Sequence, residues 1–130
     1  MKNRSADWIR QAQNDLLWAK DSLESGFFAQ TCYISQQIAE KSLKAYGLYK
    51  GYDQVRSHSV TQICKALDIN GDMERMGKEL DLYYISARYP DAFPEGAPFE
   101  YFSRDQAIKA FEYAETILTT LLGKMDLSDE

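Results

Sequence analysis

The stretch from Gln36 to Tyr46 constrains the fold more than any other part of the chain, because it reads as one unbroken helix. It contains no glycine or proline, and its apolar positions recur every three or four residues, as they do on a helix with one buried face. The apolar row comprises Cys32, Ala39, Leu43 and Tyr46, and the neighbouring polar row comprises Gln36, Glu40 and Lys44. Since residues four apart are neighbours on a helix, we expect Glu40 and Lys44 to pair on its surface. The pattern predicts a helix that packs through one row and displays polar groups on the other.

The same helical period recurs along almost the whole chain, and we find no strand pattern. We expect Ser5 to cap a first helix that ends at Gly26, and a second helix to run from about 27 to 50. A short helix follows, capped by Ser57 or Ser59, and longer helices are predicted from Asp72 to Tyr89 and from Ser103 to about 122. The short first connection makes the first two helices antiparallel neighbours. The fold class is therefore all-α, an up-and-down four-helix bundle with an additional short helix.

Residues 1–130 are predicted to form one domain with its core at about 5–122. Glycine inside a helix lowers the stability of the helix by about 1 kcal/mol relative to alanine, and Gly77 lies at such a position. The proline-rich stretch 90–102 is the least regular part, but its aromatic residues predict that it packs on the bundle. Residues 125–130 are expected to form an acidic frayed tail.

No apolar run is long enough to span a bilayer, and the N-terminus has no signal-peptide core, which favours a cytoplasmic protein without membrane contact. Cys32 and Cys64 both lie in helical patterns among apolar neighbours, so we expect two reduced thiols in the core. One histidine and two cysteines are too few for a typical zinc site. We therefore predict no metal and no cofactor.

Charge is unevenly distributed in a chain whose net charge is −5. The segment from Lys41 to Lys65 holds five bases and a single acid, Asp53. This basic island could be an ordinary solvated surface, or a patch that meets phosphate or an acidic partner. The overall acidity argues against broad non-specific binding to duplex nucleic acid.

The sequence lacks a glycine-rich phosphate loop, a Cys-x-x-Cys pair, a His-Glu-x-x-His pair and a Gly-x-Ser-x-Gly elbow. His58, the single histidine, could act as a general acid or base, or bond a neighbouring backbone group or tyrosine at the start of a helix. Arg88 could clamp a phosphate, or bond the last carbonyls of its own helix and pair with Asp91 across the Pro90 turn.

Several of these residues together resemble a known family. They are Asp15-Leu16 with Ala19, the Gln36–Tyr46 run, His58-Ser59, and Tyr84 followed by Arg88-Tyr89-Pro90-Asp91. Their order and separation are similar to those of HEPN domains, a small helical family of higher eukaryotes and prokaryotes first described as nucleotide-binding. The resemblance covers about residues 5–122.

The resemblance implies a four- or five-helix bundle that commonly dimerises. Many family members are encoded beside a minimal nucleotidyltransferase and form toxin–antitoxin or related pairs with it. Many others are metal-independent ribonucleases whose Arg-x(4–6)-His motif would supply charge stabilisation and proton transfer. This sequence departs from the nuclease motif, since no histidine follows Arg88 and His58 lies thirty positions before it.

Two hypotheses follow. The first is a non-catalytic module that binds a nucleotide or RNA or serves as an interaction domain. It would dimerise, partner a minimal nucleotidyltransferase, or do both, in a toxin–antitoxin-like pair. The alternative is a metal-independent ribonuclease with a rearranged site that uses His58 and Arg88. For the first hypothesis the predicted ligand-binding residues are Lys41, Lys44, His58, Arg88 and Asp91. In that prediction the three cations offer charge to phosphate, Asp91 orients Arg88 or accepts from a ribose hydroxyl, and His58 lies at the rim.

Overall fold

The computed structural model describes residues 3–128, and every regular element in that range is helical. The helices are α1 (Ser5–Glu24), α2 (Phe28–Tyr49), α3 (Val60–Ala66), α4 (Asp72–Asp81), α5 (Tyr83–Ser86) and α6 (Arg104–Leu122). Two 3-10 turns, Pro90–Ala92 and Pro98–Glu100, lie between α5 and α6. Helix α2 is central and contacts all the other helices. The predicted all-α up-and-down bundle with one additional short helix is confirmed.

The core has two layers that meet on α2. One layer packs α2 against α3, α4 and α6, and the other packs α2 against α1 and α6. Because α2 is covered on several sides, fourteen of its twenty-two residues are buried. The polar residues of this helix therefore lie inside the bundle to a degree that its sequence pattern does not indicate.

Two of the predicted helix starts are confirmed and one is wrong. Ser59 caps α3 by accepting from the Gln62 amide, and Ser103 caps α6 by accepting from the Gln106 amide. Ser5, by contrast, is a buried residue of the first turn of α1, and its own amide donates to the Asn3 side chain at 3.0 Å. The asparagine two residues earlier therefore takes the acceptor role that we expected of Ser5.

The predicted single helix from Asp72 to Tyr89 is also corrected, because it is interrupted at Leu82. The amide of Leu82 donates to the carbonyl of Glu79, three residues earlier, at 3.1 Å. The helical ladder thus tightens for one turn and then resumes as α5. The Leu82 backbone stays in the α region, so the apolar spacing continues across the break and the sequence does not reveal it.

The stretch 90–102 packs against the bundle as predicted. Phe93 stacks on Tyr101 with 4.1 Å between ring centroids, and the buried Phe102 meets the ring of Tyr83 edge-on at 5.7 Å. The expected frayed tail is corrected in its first part. Met125 packs on the core, and the Asp126 amide donates to the Tyr49 hydroxyl at 3.1 Å. Residues 129–130 of that tail lie outside the described range.

Both cysteine thiols are free and buried. Burial raises the pKa of Cys32 to about 12, with a smaller contribution from Glu79. Burial likewise raises the pKa of Cys64 to about 11. Since the thiolate is the reactive form, neither side chain is suited to act as a nucleophile at neutral pH.

Gly77 has a packing role in addition to its low helix propensity. A Cβ atom at this position would lie 2.5 Å from Cγ1 and 3.2 Å from Cβ of Val60, the first residue of α3. Val60 is fully buried and β-branched, so its side chain has little freedom to move aside. The glycine therefore permits the close approach of α3 to α4.

We expect Gly77→Ala to lower the free energy of unfolding by about 1–2 kcal/mol, measured by urea denaturation. Overpacking strain of about 1–3 kcal/mol outweighs the gain in helix propensity of about 1 kcal/mol. In a Val60→Ala background, Gly77→Ala should destabilise the protein much less, because the Val60 methyl group that the new Cβ would contact is absent. A stabilising effect of Gly77→Ala in the wild-type chain would contradict the account.

Candidate functional site

The polar row of α2 is buried, which corrects the prediction that it is displayed to solvent. Gln36 is fully buried, and Glu40 and Lys44 are only 3% and 8% exposed. The Lys44 ammonium lies 3.0 Å from a Glu40 carboxylate oxygen, so the expected surface pair is an internal one. The residues before α3 cover this row, since the side-chain amide of Gln36 donates to the backbone carbonyl of His58 at 2.8 Å.

Lys41 is also engaged in an internal contact. Its ammonium lies 2.5 Å from the carboxylate of Asp15 on α1, which in turn accepts from Gln11 at 3.0 Å. Lys41 and Lys44 line two different cavities, of about 680 and 530 Å³. The basic island of the sequence is thus partly neutralised by carboxylates of α1 and α2, and its two α2 lysines do not form one patch.

The structure brings two of the predicted site residues, His58 and Arg88, to the same tyrosine. The His58 ring stacks on Tyr84 with 5.5 Å between centroids and 15° between planes. The Arg88 guanidinium carbon lies 4.7 Å from the centre of the same Tyr84 ring. His58 and Arg88, thirty positions apart in the sequence, therefore belong to one cluster. They meet because α5 packs on α2, next to the loop residue His58 that precedes α3.

Arg88 is enclosed by aromatic rings. Its guanidinium carbon lies 4.3 Å from the ring centre of Tyr33 and 4.8 Å from that of Tyr89, in addition to the contact with Tyr84. Its Nε donates to the Tyr84 carbonyl at 2.9 Å. Among residues 3–128 no carboxylate forms an ion pair with Arg88. Of the three cations predicted for the site, Arg88 alone has no acidic partner in the described part of the chain.

His58 lies at the exposed rim of this cluster. Its side chain is 63% exposed, and its Nδ1 is 3.2 Å from the same Glu40 oxygen that contacts Lys44. Glu40 thus lies between His58 and Lys44. A carboxylate at Nδ1 fixes the orientation of the ring. This geometry has features of both sequence-based interpretations of His58. The residue precedes a helix and contacts a tyrosine, as a structural role requires, and its ring is exposed, as an acid–base role requires.

Asp91 does not orient Arg88. It lies in the exposed 3-10 turn Pro90–Ala92, and the ion pairs within the described range do not include an Arg88–Asp91 contact. The carbonyl of Tyr84, one helical turn before Arg88, holds the guanidinium instead. The predicted Arg88–Asp91 pair is therefore not formed among the described residues.

Asp81, at the end of α4, is a residue that the sequence analysis missed. Its carboxylate accepts from the Ser59 hydroxyl and the Val60 amide at 2.8 Å each, from the Thr61 amide at 3.0 Å, and from Gln36 at 3.3 Å. It therefore anchors the start of α3 directly behind His58. The sequence analysis also missed Tyr33, whose ring contacts the Arg88 guanidinium. Burial raises the pKa of Tyr33, so its hydroxyl stays protonated. In both cases the partners come from distant segments, and no local spacing indicates them.

These features define a class of protein, a small helical bundle whose central helix carries a buried polar network. The turn after its fifth helix presents an arginine that is lined by aromatic rings. The HEPN domain pattern matches residues 5–125, and the chain belongs to the HEPN family. The nuclease motif of the family remains incomplete here, because no histidine follows Arg88.

Solved structures support the assignment. The chain is similar to TT1696 from Thermus thermophilus, at 35% identity and a TM-score of 0.89 over 95% of this chain and 100% of that one. It is also similar to ST0689, an archaeal HEPN homologue, at 33% identity and a TM-score of 0.83 over 96% and 100% of the two chains. A HEPN domain protein from Thermotoga maritima matches at 32% identity and a TM-score of 0.73, over 91% and 96%.

A more distant relative carries a functional name. The chain is 25% identical, over 88% of its own length and 83% of the relative, to the Methanocaldococcus jannaschii protein named "Putative toxin MJ1304". None of the helices in the described part of this chain is long and apolar enough to cross a membrane.

Proposed function

We propose that this HEPN protein is a non-catalytic module that binds the phosphate of a nucleotide or RNA at Arg88. We further propose that it works in the cytoplasm as one member of a toxin–antitoxin-like pair. The single observation that carries the binding proposal is the environment of Arg88, a half-buried cation that is surrounded by three tyrosine rings and has no carboxylate partner within residues 3–128. An anion from outside the chain can form charge-assisted hydrogen bonds with such a guanidinium.

The chemistry of the cluster favours a phosphate that is attached to a base. A guanidinium has five N–H donors, and one of them is used by the Tyr84 carbonyl. The remaining donors suit the oxygens of a phosphate, which a planar fork binds with two hydrogen bonds. Tyr89 is 47% exposed, and the exposed His58 ring belongs to the same cluster through Tyr84, so both rings offer faces on which a base can stack.

The other predicted residues take different parts in this proposal. Lys41 and Lys44 are engaged by Asp15 and Glu40, so we assign the phosphate contact to Arg88 rather than to them. His58 remains a hydrogen-bond partner at the rim. For Asp91, which is exposed just beyond Pro90, we propose that its carboxylate accepts from a ribose hydroxyl.

Binding can be tested with a fluorescently labelled single-stranded RNA and, in competition, AMP. We expect Arg88→Gln to weaken RNA binding at least tenfold, because a charge-assisted hydrogen bond contributes about 1.5–3 kcal/mol. Arg104→Gln is the matched control, since Arg104 also stacks on an aromatic ring, that of Phe28 at 5.0 Å, but lies outside the cluster. Equal affinity of wild type and Arg88→Gln would reject the site.

The pairing is supported by the toxin name of the relative and by the family assignment. We propose a homodimer that partners a minimal nucleotidyltransferase. Light scattering and co-purification with the product of the adjacent gene test both parts. A protein that is monomeric at micromolar concentration and binds neither that product nor a nucleotide would exclude the proposal.

A ribonuclease is the second candidate, and one observation favours it. His58 and Arg88 both contact Tyr84, and Glu40 supports the His58 ring, which is an arrangement that suits proton transfer beside a bound phosphate. The test is RNA cleavage without added metal by wild type, His58→Ala and Arg88→Ala. Equal rates for all three, at the level of the buffer blank, would exclude this candidate.

A further inference from the structure

We infer that the cavity between the start of α1, the end of α2 and the loop 50–57 binds a small organic anion that carries a flat ring. The cavity is separate from the Arg88 cluster and has a volume of about 530 Å³, within the usual range for small-molecule sites. The residues that matter for the argument are Arg4, Trp8, Lys44, Leu48, Asp53 and Val55.

Lys44 supplies the anion-binding group. Its side chain is 10% exposed, and its ammonium carries three N–H donors, of which one meets Glu40 at 3.0 Å. Its other close contact is the face of the Trp8 ring, whose centre is 5.6 Å from the ammonium. The contacts within residues 3–128 include no second oxygen acceptor for Lys44. An oxyanion that enters the cavity can accept hydrogen bonds from the N–H donors that lack an oxygen partner, which is favourable for a largely buried ammonium.

The rest of the lining suits an uncharged flat body. Trp8 forms one wall, and the apolar side chains of Leu48 and Val55 form others. A flat ring can lie against the indole while its anionic substituent reaches Lys44. Carboxylates and phosphates share this chemistry, so the inference concerns an oxyanion on an unsaturated ring and not one particular compound.

The two cations of the lining supply hydrogen-bond donors for this ligand class. Arg4 at the rim adds a second cation, and its Nε is paired with Asp7 at 2.9 Å. Among the described lining residues Asp53 is the one carboxylate. Because Arg4 and Lys44 are each paired with a carboxylate, an oxyanion is held by N–H donors and not by an excess of positive charge.

The wall near the N-terminus is held in place before any ligand arrives. The Asn3 side chain donates to the Leu48 carbonyl at 3.0 Å and accepts from the Ser5 amide at 3.0 Å. These two bonds fasten the start of α1 to the end of α2. A wall that is already ordered lowers the entropic cost of binding.

Trp8 provides a direct readout, because the chain has two tryptophans and the other, Trp18, is 57% exposed on α1 and does not line the cavity. In a Trp18→Phe background we would titrate AMP and benzoate, with adenosine and inorganic phosphate as the ring-only and anion-only probes. We expect saturable quenching of Trp8 by AMP or benzoate. The uncharged adenosine and the ring-free phosphate should each bind at least tenfold more weakly than that ligand.

Two variants locate the binding. Glu40→Gln combined with Lys44→Met removes both charges of the internal pair together, and we expect at least a tenfold loss of affinity with unchanged helical content. Arg4→Ala should weaken binding about threefold, whereas Arg10→Ala, a second exposed arginine on α1 that does not line the cavity, should leave it unchanged.

Absence of quenching by both ring-bearing anions would overturn the inference. Equal binding by the folded double variant, or equal binding of adenosine, would overturn it as well. Arg88 takes no part in this experiment, so its outcome is independent of the RNA-binding test.

Discussion

Glu40→Ala is expected to destabilise the protein by about 3–5 kcal/mol, the usual cost of removing one partner from a buried ion pair. The side chains of Glu40 and Lys44 are 5% and 10% exposed, so the lysine would remain largely buried without its carboxylate. His58 would lose the same partner. Urea denaturation of wild type and variant measures the effect.

The control for this prediction is Glu40→Leu combined with Lys44→Met, which replaces both charges by apolar groups of similar size. Such replacements are often neutral or stabilising, so the double variant should recover most of the stability lost in Glu40→Ala. A loss below about 1 kcal/mol for Glu40→Ala would show that the pair behaves like an exposed one, and would contradict the burial described here.

Asp81→Ala has the second largest expected effect, about 3 kcal/mol, because four donors lose their acceptor. Two of those donors are the first amides of α3, a helix of seven residues that is too short to be stable without external support. The same denaturation measurement applies, and the NMR signal of the His58 ring should broaden or shift as the preceding loop loses its anchor.

Ser59→Ala is the matched control, since it removes the side-chain cap of the same helix and should cost about 1 kcal/mol. Because Ser59→Ala also removes the hydroxyl that donates to Asp81, the difference between the two variants reports the contribution of the other three donors to the carboxylate. If Asp81→Ala cost no more than Ser59→Ala, the account of Asp81 as the anchor of α3 would be wrong.

The helices could be predicted from the sequence because their signals are local. Ser59 and Ser103 each precede an apolar repeat, and both act as caps. Gly26, with φ of +84°, lies just past the end of α1, where glycine adopts this conformation without strain. The break at Leu82 was not predictable, because its backbone angles remain helical and the apolar spacing continues through it.

The burial of the α2 polar row could not be predicted in the same way. Periodicity assigns Gln36, Glu40 and Lys44 to one face, but it does not show that the residues before α3 and the N-terminal part of α1 close over that face. The decisive partners are far away in sequence. Lys41 meets a carboxylate 26 residues earlier, and Gln36 meets one 45 residues later.

Part of the candidate site was visible nonetheless. Tyr84, Arg88 and Tyr89 belong to the motif that carries the family resemblance, and they lie close together in the chain. Tyr33, the third ring, comes from α2 and is brought in by tertiary packing. The motif thus contained the cation and two of its rings, whereas the absence of a carboxylate partner within residues 3–128 emerged only from the fold.

The central claim is that an anion binds at Arg88 within the cluster that includes Tyr84 and His58. Because His58 is the single histidine of the chain, the NMR signal of its ring Cε1–H needs no further assignment. Titration with a short single-stranded RNA should move this signal saturably in wild type and in Arg104→Gln, but not in Arg88→Gln. A signal that stays unmoved in wild type while RNA binds elsewhere, or that moves equally in Arg88→Gln, would contradict the account.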